Sequence, residues 1–177
     1  MTVPRIPYVP EDLAEPADVV AAVRARRGGG LIELDRMLLH SPPLAEGWNH
    51  FLNNVRTRLI VPARLRELAM CVVAVLNRAE YEFVQHAPLL IETGATQAQV
   101  DALADPAAAA AAALFTPVEQ AVIRLTIEMT RDIDVQDTTF AALREHLDEQ
   151  QSVEIVGTIA AYNMVSRFLV ALGVHPS

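Results

Sequence analysis

Apolar residues recur along most of this chain at every third or fourth position, which is the spacing of one face of a helix. The segment 62–76 shows it most clearly, with Leu65, Leu68, Val72 and Leu76 on one stripe. No stretch alternates apolar and polar residues with the two-residue period of a strand, and no hairpin turn motif is present. The pattern therefore predicts an all-α fold.

Prolines, glycines and capping residues divide this pattern into segments. Thr96 with Gln99, and Thr116 with Glu119, have the spacing of a capping box and predict helix starts. Three consecutive glycines, 28–30, predict a helix end with a flexible exit beside the basic cluster of Arg24, Arg26 and Arg27. The predicted helices cover residues 18–27, 31–39, 42–56, 62–76, 79–92, 96–103, 117–131, 136–147 and 152–172.

Three segments depart from regular amphipathic helix. Residues 1–16 are rich in proline and predict an extended N-terminal arm, over the surface or towards a neighbouring subunit. Seven alanines after Pro106 indicate either a short helix or a variable connector. The segment 152–172 is apolar around most of its circumference, which favours subunit contacts as well as an internal core. A length of 177 residues predicts one domain over 1–177.

Composition and charge narrow the class of protein. Apolar residues make up 52% of the chain, too many for a disordered protein. The formal net charge of -8 argues against a nucleic-acid partner, because a phosphate backbone requires a basic face. With its single cysteine, Cys71, the chain cannot form an intrachain disulfide, so we expect a cytoplasmic protein. The N-terminus is unlike a signal peptide, and no uncharged apolar run is long enough to predict a membrane partner.

Four polar side chains interrupt the apolar helices between residues 64 and 96: Glu67, Tyr81, Glu82 and His86. Glu82 and His86 are four residues apart and therefore share a helix face. A carboxylate beside an imidazole orients it and suits general acid–base chemistry. The alternative is an ordinary surface Glu–His pair.

The other candidates are more ambiguous. Glu67 either faces the core, where it must be paired or protonated, or faces water and pairs with Arg64 or Arg66. Tyr81 could donate a hydrogen bond into a pocket or could simply be core. The other histidines have no partners at ligand spacing, so the one possible metal-ligand set is Glu67, Glu82 and His86. That set is not diagnostic of a metal site, and we predict no metal. No phosphate-binding or dinucleotide-binding motif predicts a cofactor. Tyr162 and Asn163 lie within the apolar last helix, and a structural role is favoured for both.

These residues resemble the carboxymuconolactone decarboxylase family, which includes the alkylhydroperoxidase D-type proteins. The resemblance rests on Arg-Glu-Leu at 66–68, on Tyr-Glu-x-x-x-His at 81–86 with a following Gly-Ala-Thr, and on the flanks RIPYVP, HSPPLAEGW and AAYNMVSRFLVALGV. It implies a helical bundle of the alkylhydroperoxidase D-like type that assembles into homotrimers or homohexamers.

The resemblance also shows a departure from the family pattern. Peroxidase-type members place a Cys-x-x-Cys pair twelve residues after a glutamate, with a histidine four residues beyond the second cysteine. Glu67 and His86 match the glutamate and the histidine, but Ala79 and Glu82 replace the cysteines. Peroxide reduction through a thiolate and a resolving thiol is therefore not expected at these positions.

The decarboxylase-type members, which act on a carboxylated lactone without an organic cofactor, are the better match. The resemblance implies a small-molecule substrate and an acid–base site of Glu67, Tyr81, Glu82 and His86. In it His86 acts as acid, Glu82 orients His86, and Arg66, Arg78 or a neighbouring subunit binds the substrate anion. Two alternatives stay open: a peroxidase that uses Cys71 or no thiol, and a non-catalytic oligomeric binding protein.

Overall fold

The computed structural model describes residues 3–176, and within them the chain forms ten helices and no strand. The all-α prediction is confirmed, and each predicted helix is present with shifts of a few residues at its ends. The helices are α1 (Ala17–Arg27), α2 (Glu33–Leu38), α3 (Pro42–Thr57), α4 (Ala63–Leu76), α5 (Glu80–Glu92), α6 (Gln97–Ala102), α7 (Pro106–Ala109), α8 (Pro117–Arg131), α9 (Asp137–Arg144) and α10 (Glu149–Leu172).

Capping residues set the helix starts. The predicted capping box of Thr96 and Gln99 is formed, with the threonine hydroxyl accepting the Gln99 N–H at 3.2 Å. Helix α10 begins at Glu149, three residues before the predicted start. The reason is a pair of reciprocal hydrogen bonds: Asp148 Oδ1 accepts the Gln151 N–H at 2.8 Å, and Gln151 Oε1 accepts the Asp148 N–H at 3.2 Å.

The chain contains two compact units, and the first comprises the described residues of 1–59 with residues 171–175. Residues 3–16 form no helix or strand. Helices α1 and α2 pack on α3, around a core that includes Val20 and Trp48. Asp35 is buried between Arg26 at 3.2 Å and Arg27 at 2.9 Å. Two arginines of the cluster, Arg26 and Arg27, therefore stabilise a buried carboxylate. A single domain over 1–177 stays a prediction.

The second unit comprises residues 60–170 with Pro176, and α4 lies at its centre. Helix α4 packs against α5 and α8, and eight of its 14 residues are buried. The run of alanines forms the short helix α7 and the turns that follow it. The core packed around α4 consists of Leu68, Cys71, Val72, Leu90, Val100, Leu103, Phe115 and Ile123, together with smaller residues.

Helix α10 is the most apolar segment of the chain. Among the described residues it alone is long and apolar enough to cross a membrane by length and composition, and half of that stretch is buried within the chain. A core helix of a soluble protein has the same character, so this composition is weak evidence for a membrane. Glu154 on α10 accepts the backbone N–H groups of Ile60 at 2.8 Å and Val61 at 2.7 Å, and so ties α10 to the start of α4.

Candidate functional site

The site begins with Glu67, on the second turn of α4. Its side chain is 13% exposed, so it lies at the edge of the face that α4 buries. Arg64, one of the two arginines considered as its partner, instead donates to Glu119 at 2.5 Å. Arg66 donates to the backbone carbonyl of Val61 at 2.5 Å. The carboxyl group of Glu67 contacts His86 on α5.

The turn between α4 and α5 is fixed by a buried polar network. Asn77 ends α4, as predicted, and Arg78 follows with a left-handed φ of 57°. Asn77 Nδ2 donates to Asn163 Oδ1 at 3.0 Å and to Ser166 Oγ at 2.7 Å. Asn163 Nδ2 in turn donates to Thr130 Oγ1 at 2.9 Å. Because the turn is tied to α8 and α10, the helices α4 and α5 are held in one arrangement.

This arrangement brings Glu67 and His86 together. Glu67 Oε2 lies 2.6 Å from His86 Nδ1, and His86 is only 5% exposed. A carboxylate that binds Nδ1 sets the tautomer and the orientation of the ring. The expectation that Glu82 orients His86 is therefore wrong in its detail: the orienting carboxylate comes from the neighbouring helix and not from the preceding turn of α5.

Glu82 occupies a different environment. It lies in the first turn of α5 and is 2% exposed, and neither of its carboxyl oxygens has a hydrogen-bond partner in the described part of the chain. Burial raises the pKa of Glu82 well above its ordinary value of 4.5. Burial therefore favours the neutral acid form of Glu82, whereas the carboxyl group of Glu67 contacts the His86 ring.

Cys71 lies one turn after Glu67 on α4 and is completely buried. Burial raises the pKa of its thiol well above the usual range, and the nearby carboxyl groups of Glu67 and Glu82 raise it further. Both carboxyl groups therefore lie near this thiol, between α4 and α5. A thiol in such surroundings is a small core residue rather than a nucleophile.

Two tyrosines belong to the same region. Tyr81, a predicted site residue, is 3% exposed in the first turn of α5. Tyr162 on α10, which the sequence indicated as structural, packs against the His86 ring with ring centroids 4.9 Å apart and planes at 85°. Sequence spacing could not identify this contact, because Tyr162 follows His86 by 76 positions. The only indication in the sequence was that Tyr162 and Asn163 are polar residues inside an apolar helix.

The remaining polar candidates have other partners. His40 Nε2 lies 2.7 Å from the carbonyl of Pro7, within the first unit. Within residues 3–176, no three His, Cys, Asp or Glu side chains are grouped so that they could hold a metal ion. The candidate site is therefore a buried acid–base cluster between α4, α5 and α10, made of Glu67, Glu82, His86 and Tyr162.

The helical fold and this placement of acids and histidine define a class of protein. Residues 42–128 match the sequence model of the carboxymuconolactone decarboxylase family. This match confirms, over residues 42–128, the resemblance to the carboxymuconolactone decarboxylase family that the sequence pattern predicted. No curated protein is similar enough in sequence to match it.

Solved structures share the fold over almost the whole chain. An alkylhydroperoxidase AhpD core protein from Ralstonia eutropha JMP134, described as an uncharacterized peroxidase-related protein, superposes with a TM-score of 0.82 at 20% identity, over 100% of this chain and 94% of that one. A peroxidase-related protein from Silicibacter sp. TM1040 gives 0.79 at 14% identity, over 99% and 92%. The debrominase Bmp8, as a cysteine-to-alanine variant in complex with 2,3,4-tribromopyrrole, gives 0.77 at 14% identity, over 96% and 90%. These likenesses establish the fold.

Proposed function

We propose that this chain is a decarboxylase-like lyase that acts on a carboxylated small molecule, with Glu67 and His86 carrying out the proton transfer. The observation that supports this most directly is the 2.6 Å contact between Glu67 Oε2 and His86 Nδ1 at a nearly buried imidazole. An oriented imidazole away from bulk water is the usual general acid or base of an enzyme. A surface Glu–His pair would not have its histidine buried.

The proposed chemistry needs only proton transfer from the side chains. Loss of carbon dioxide leaves an electron pair on the substrate, and a proton must then be delivered to carbon. His86 delivers that proton, and Glu67 stabilises the imidazolium form that precedes delivery. Since the Glu67 side chain is 13% exposed, it lies where the pair can recover a proton from water. No organic cofactor or metal is required for this sequence of steps.

A thiol-based peroxidase is disfavoured by the state of Cys71. Peroxide reduction needs a thiolate, and burial holds this thiol in its protonated form. A cycle between two thiols within one chain would also need a second cysteine. Among the structural neighbours, the debrominase shows that the shared fold alone does not decide the reaction.

Self-association into a homotrimer or homohexamer is part of the proposal. It is supported by apolar side chains on α10 that the chain leaves exposed, namely Val153 at 73%, Met164 at 40% and Val170 at 46%. Apolar side chains that recur along one helix are covered in many assemblies by another subunit. Analytical ultracentrifugation would measure the oligomeric state, and a monomer at micromolar concentration would contradict this part of the proposal.

The decisive experiment compares wild type with His86→Gln for release of carbon dioxide from a panel of carboxylated lactones and oxo acids. We expect His86→Gln to lower turnover about 100- to 10,000-fold, the usual contribution of a general acid. The matched control is His146→Gln, which removes an exposed histidine on the turn after α9. Turnover that is unchanged in His86→Gln would contradict the proposal. A wild type that binds a panel member without turning it over would favour the binding protein.

A further inference from the structure

Glu82 is the least satisfied polar side chain of the candidate site. Its carboxyl group is 2% exposed, and both oxygens lack a hydrogen-bond partner in the described chain. Leaving a buried polar group without a partner costs roughly 1–3 kcal/mol. A leucine at this buried position would avoid that cost. The carboxyl group of Glu82 therefore adds no hydrogen bond that stabilises the fold.

The carboxyl group lies beside the proposed proton-transfer pair. Glu82 precedes His86 by four residues on α5, so the two side chains share one face of that helix. Near this face, Glu67 contacts His86 at 2.6 Å and Tyr162 packs on the His86 ring, and the carboxyl groups of Glu67 and Glu82 both raise the pKa of the Cys71 thiol. A ligand that reaches the Glu67–His86 pair would thus meet Glu82 on the α5 side.

The chemical state of Glu82 decides what it can offer such a ligand. In these surroundings an ionised carboxylate is disfavoured, and the neutral acid has one O–H donor and remaining acceptor capacity. A buried O–H donor without a protein acceptor is complementary to a carbonyl oxygen, and more strongly to an enolate oxygen. An ammonium group would instead require the carboxylate form.

We propose that Glu82 is a catalytic residue that, as a neutral acid, donates a hydrogen bond to a carbonyl oxygen of the substrate, which belongs to the class of 3-oxo carboxylic acids. This inference rests on the proposed decarboxylation. The bond between the α-carbon and the carboxylate carbon breaks, carbon dioxide leaves, and the electron pair moves through the α-carbon to the carbonyl oxygen. Glu82 stabilises this enolate by its hydrogen bond. His86 then transfers its proton to the α-carbon, and water restores the proton to His86.

Two substitutions of Glu82 distinguish a role as hydrogen-bond donor from a role as proton carrier. Glu82→Gln keeps the size and offers an N–H donor, whereas Glu82→Leu keeps the size and removes the donor. We expect carbon dioxide release from 3-oxo acids to stay within about tenfold of wild type in Glu82→Gln and to fall about 100- to 1,000-fold in Glu82→Leu, as for loss of one oxyanion donor. Glu80→Gln, an exposed position in the same helical turn, is the matched control.

The protonation state can be measured without any substrate. The infrared difference spectrum between wild type and Glu82→Gln at about pH 7 should contain the carbonyl band of a protonated carboxylic acid. Carboxylate bands in its place would overturn the inference, as would equal loss of turnover in the Gln and Leu variants. The substrate class would be overturned if saturated acids of equal length released carbon dioxide, or if no 3-oxo acid did.

The two proposals fail in distinguishable ways. If His86→Gln abolishes turnover while Glu82→Leu does not, the proton-transfer pair stands and the role of Glu82 is rejected. If His86→Gln leaves turnover unchanged, the proposed function itself is rejected, whatever the Glu82 variants do. Circular dichroism of each variant separates a change in chemistry from a failure to fold.

Discussion

His86 on α5 and Glu67 on α4, which are 19 positions apart in the sequence, are joined by a 2.6 Å contact between Nδ1 and Oε2. The pair bridges two helices whose connecting turn is fixed by Asn77 and Asn163. Its geometry therefore depends on the packing of α4, α5 and α10 rather than on one helix.

Replacing Glu67 by Gln should lower kcat about 100-fold or more and leave KM nearly unchanged, because the amide no longer stabilises the imidazolium form of His86. The measurement is steady-state kinetics over a range of pH on any acid that the wild type decarboxylates. Glu92→Gln, at an exposed position near the end of α5, is the control. A variant that raises KM but keeps kcat would show that Glu67 binds substrate instead of assisting His86.

Cys71 should be unreactive in the folded protein, since it is fully buried and burial raises the pKa of its thiol. We expect a disulfide reagent to label it at least about 100-fold more slowly than a free thiol, and peroxide to leave it reduced. Urea that unfolds the chain should restore ordinary labelling. Rapid stoichiometric oxidation of Cys71 in native buffer would revive the peroxidase hypothesis.

Glu82→Leu should stabilise the protein by about 1–3 kcal/mol at neutral pH, because it removes an unpartnered buried carboxyl group. The pKa of Glu82 is raised above 4.5 by burial, so the native state binds more protons than the unfolded state between 4.5 and the raised value. Stability of the wild type should therefore fall as pH rises through this window, and the advantage of the variant should widen. Urea unfolding across this range measures the difference, and a pH-independent difference would contradict a neutral Glu82.

The contribution of Glu119 to stability should have the opposite pH dependence. Burial raises its pKa, but hydrogen bonds from Thr116 and Arg64 outweigh burial, and the net pKa is lowered below 4.5. Its contribution is complete above 4.5 and is lost as pH falls through the lowered value. Arg64→Met should therefore lower the free energy of unfolding by about 1–2 kcal/mol near pH 7 and by less near pH 3. This figure is discounted for solvent screening, because the arginine is partly exposed. An equal cost at both pH values would indicate lost packing rather than a lost ion pair.

The site also shows why a mutational survey for stability alone would mislead. The expected gain from Glu82→Leu and the expected loss of turnover in the same variant have one cause, the unpartnered carboxyl group. Active sites commonly retain such groups at the expense of stability. A variant that gained stability and kept full turnover would show that Glu82 has no function.

The sequence by itself determined the helices and most of their ends. Its apolar period, its glycines and capping boxes such as Thr96 with Gln99 act within a few residues, so they can be identified without tertiary contacts. The reciprocal bonds of Asp148 and Gln151 are equally local, although the sequence analysis placed that helix start at Ser152. The family resemblance also identified Glu67, Glu82 and His86 as one cluster.

Only the tertiary structure decided what each member of the cluster does. Helical spacing pairs Glu82 with His86. The packing of α4 on α5 instead brings Glu67 to His86, and it leaves Glu82 buried without a hydrogen-bond partner, where burial raises its pKa. The contact of Tyr162 with His86 joins residues far apart in the chain. Burial and long-range pairing are properties of packed helices, and the pKa of a carboxyl group depends on both.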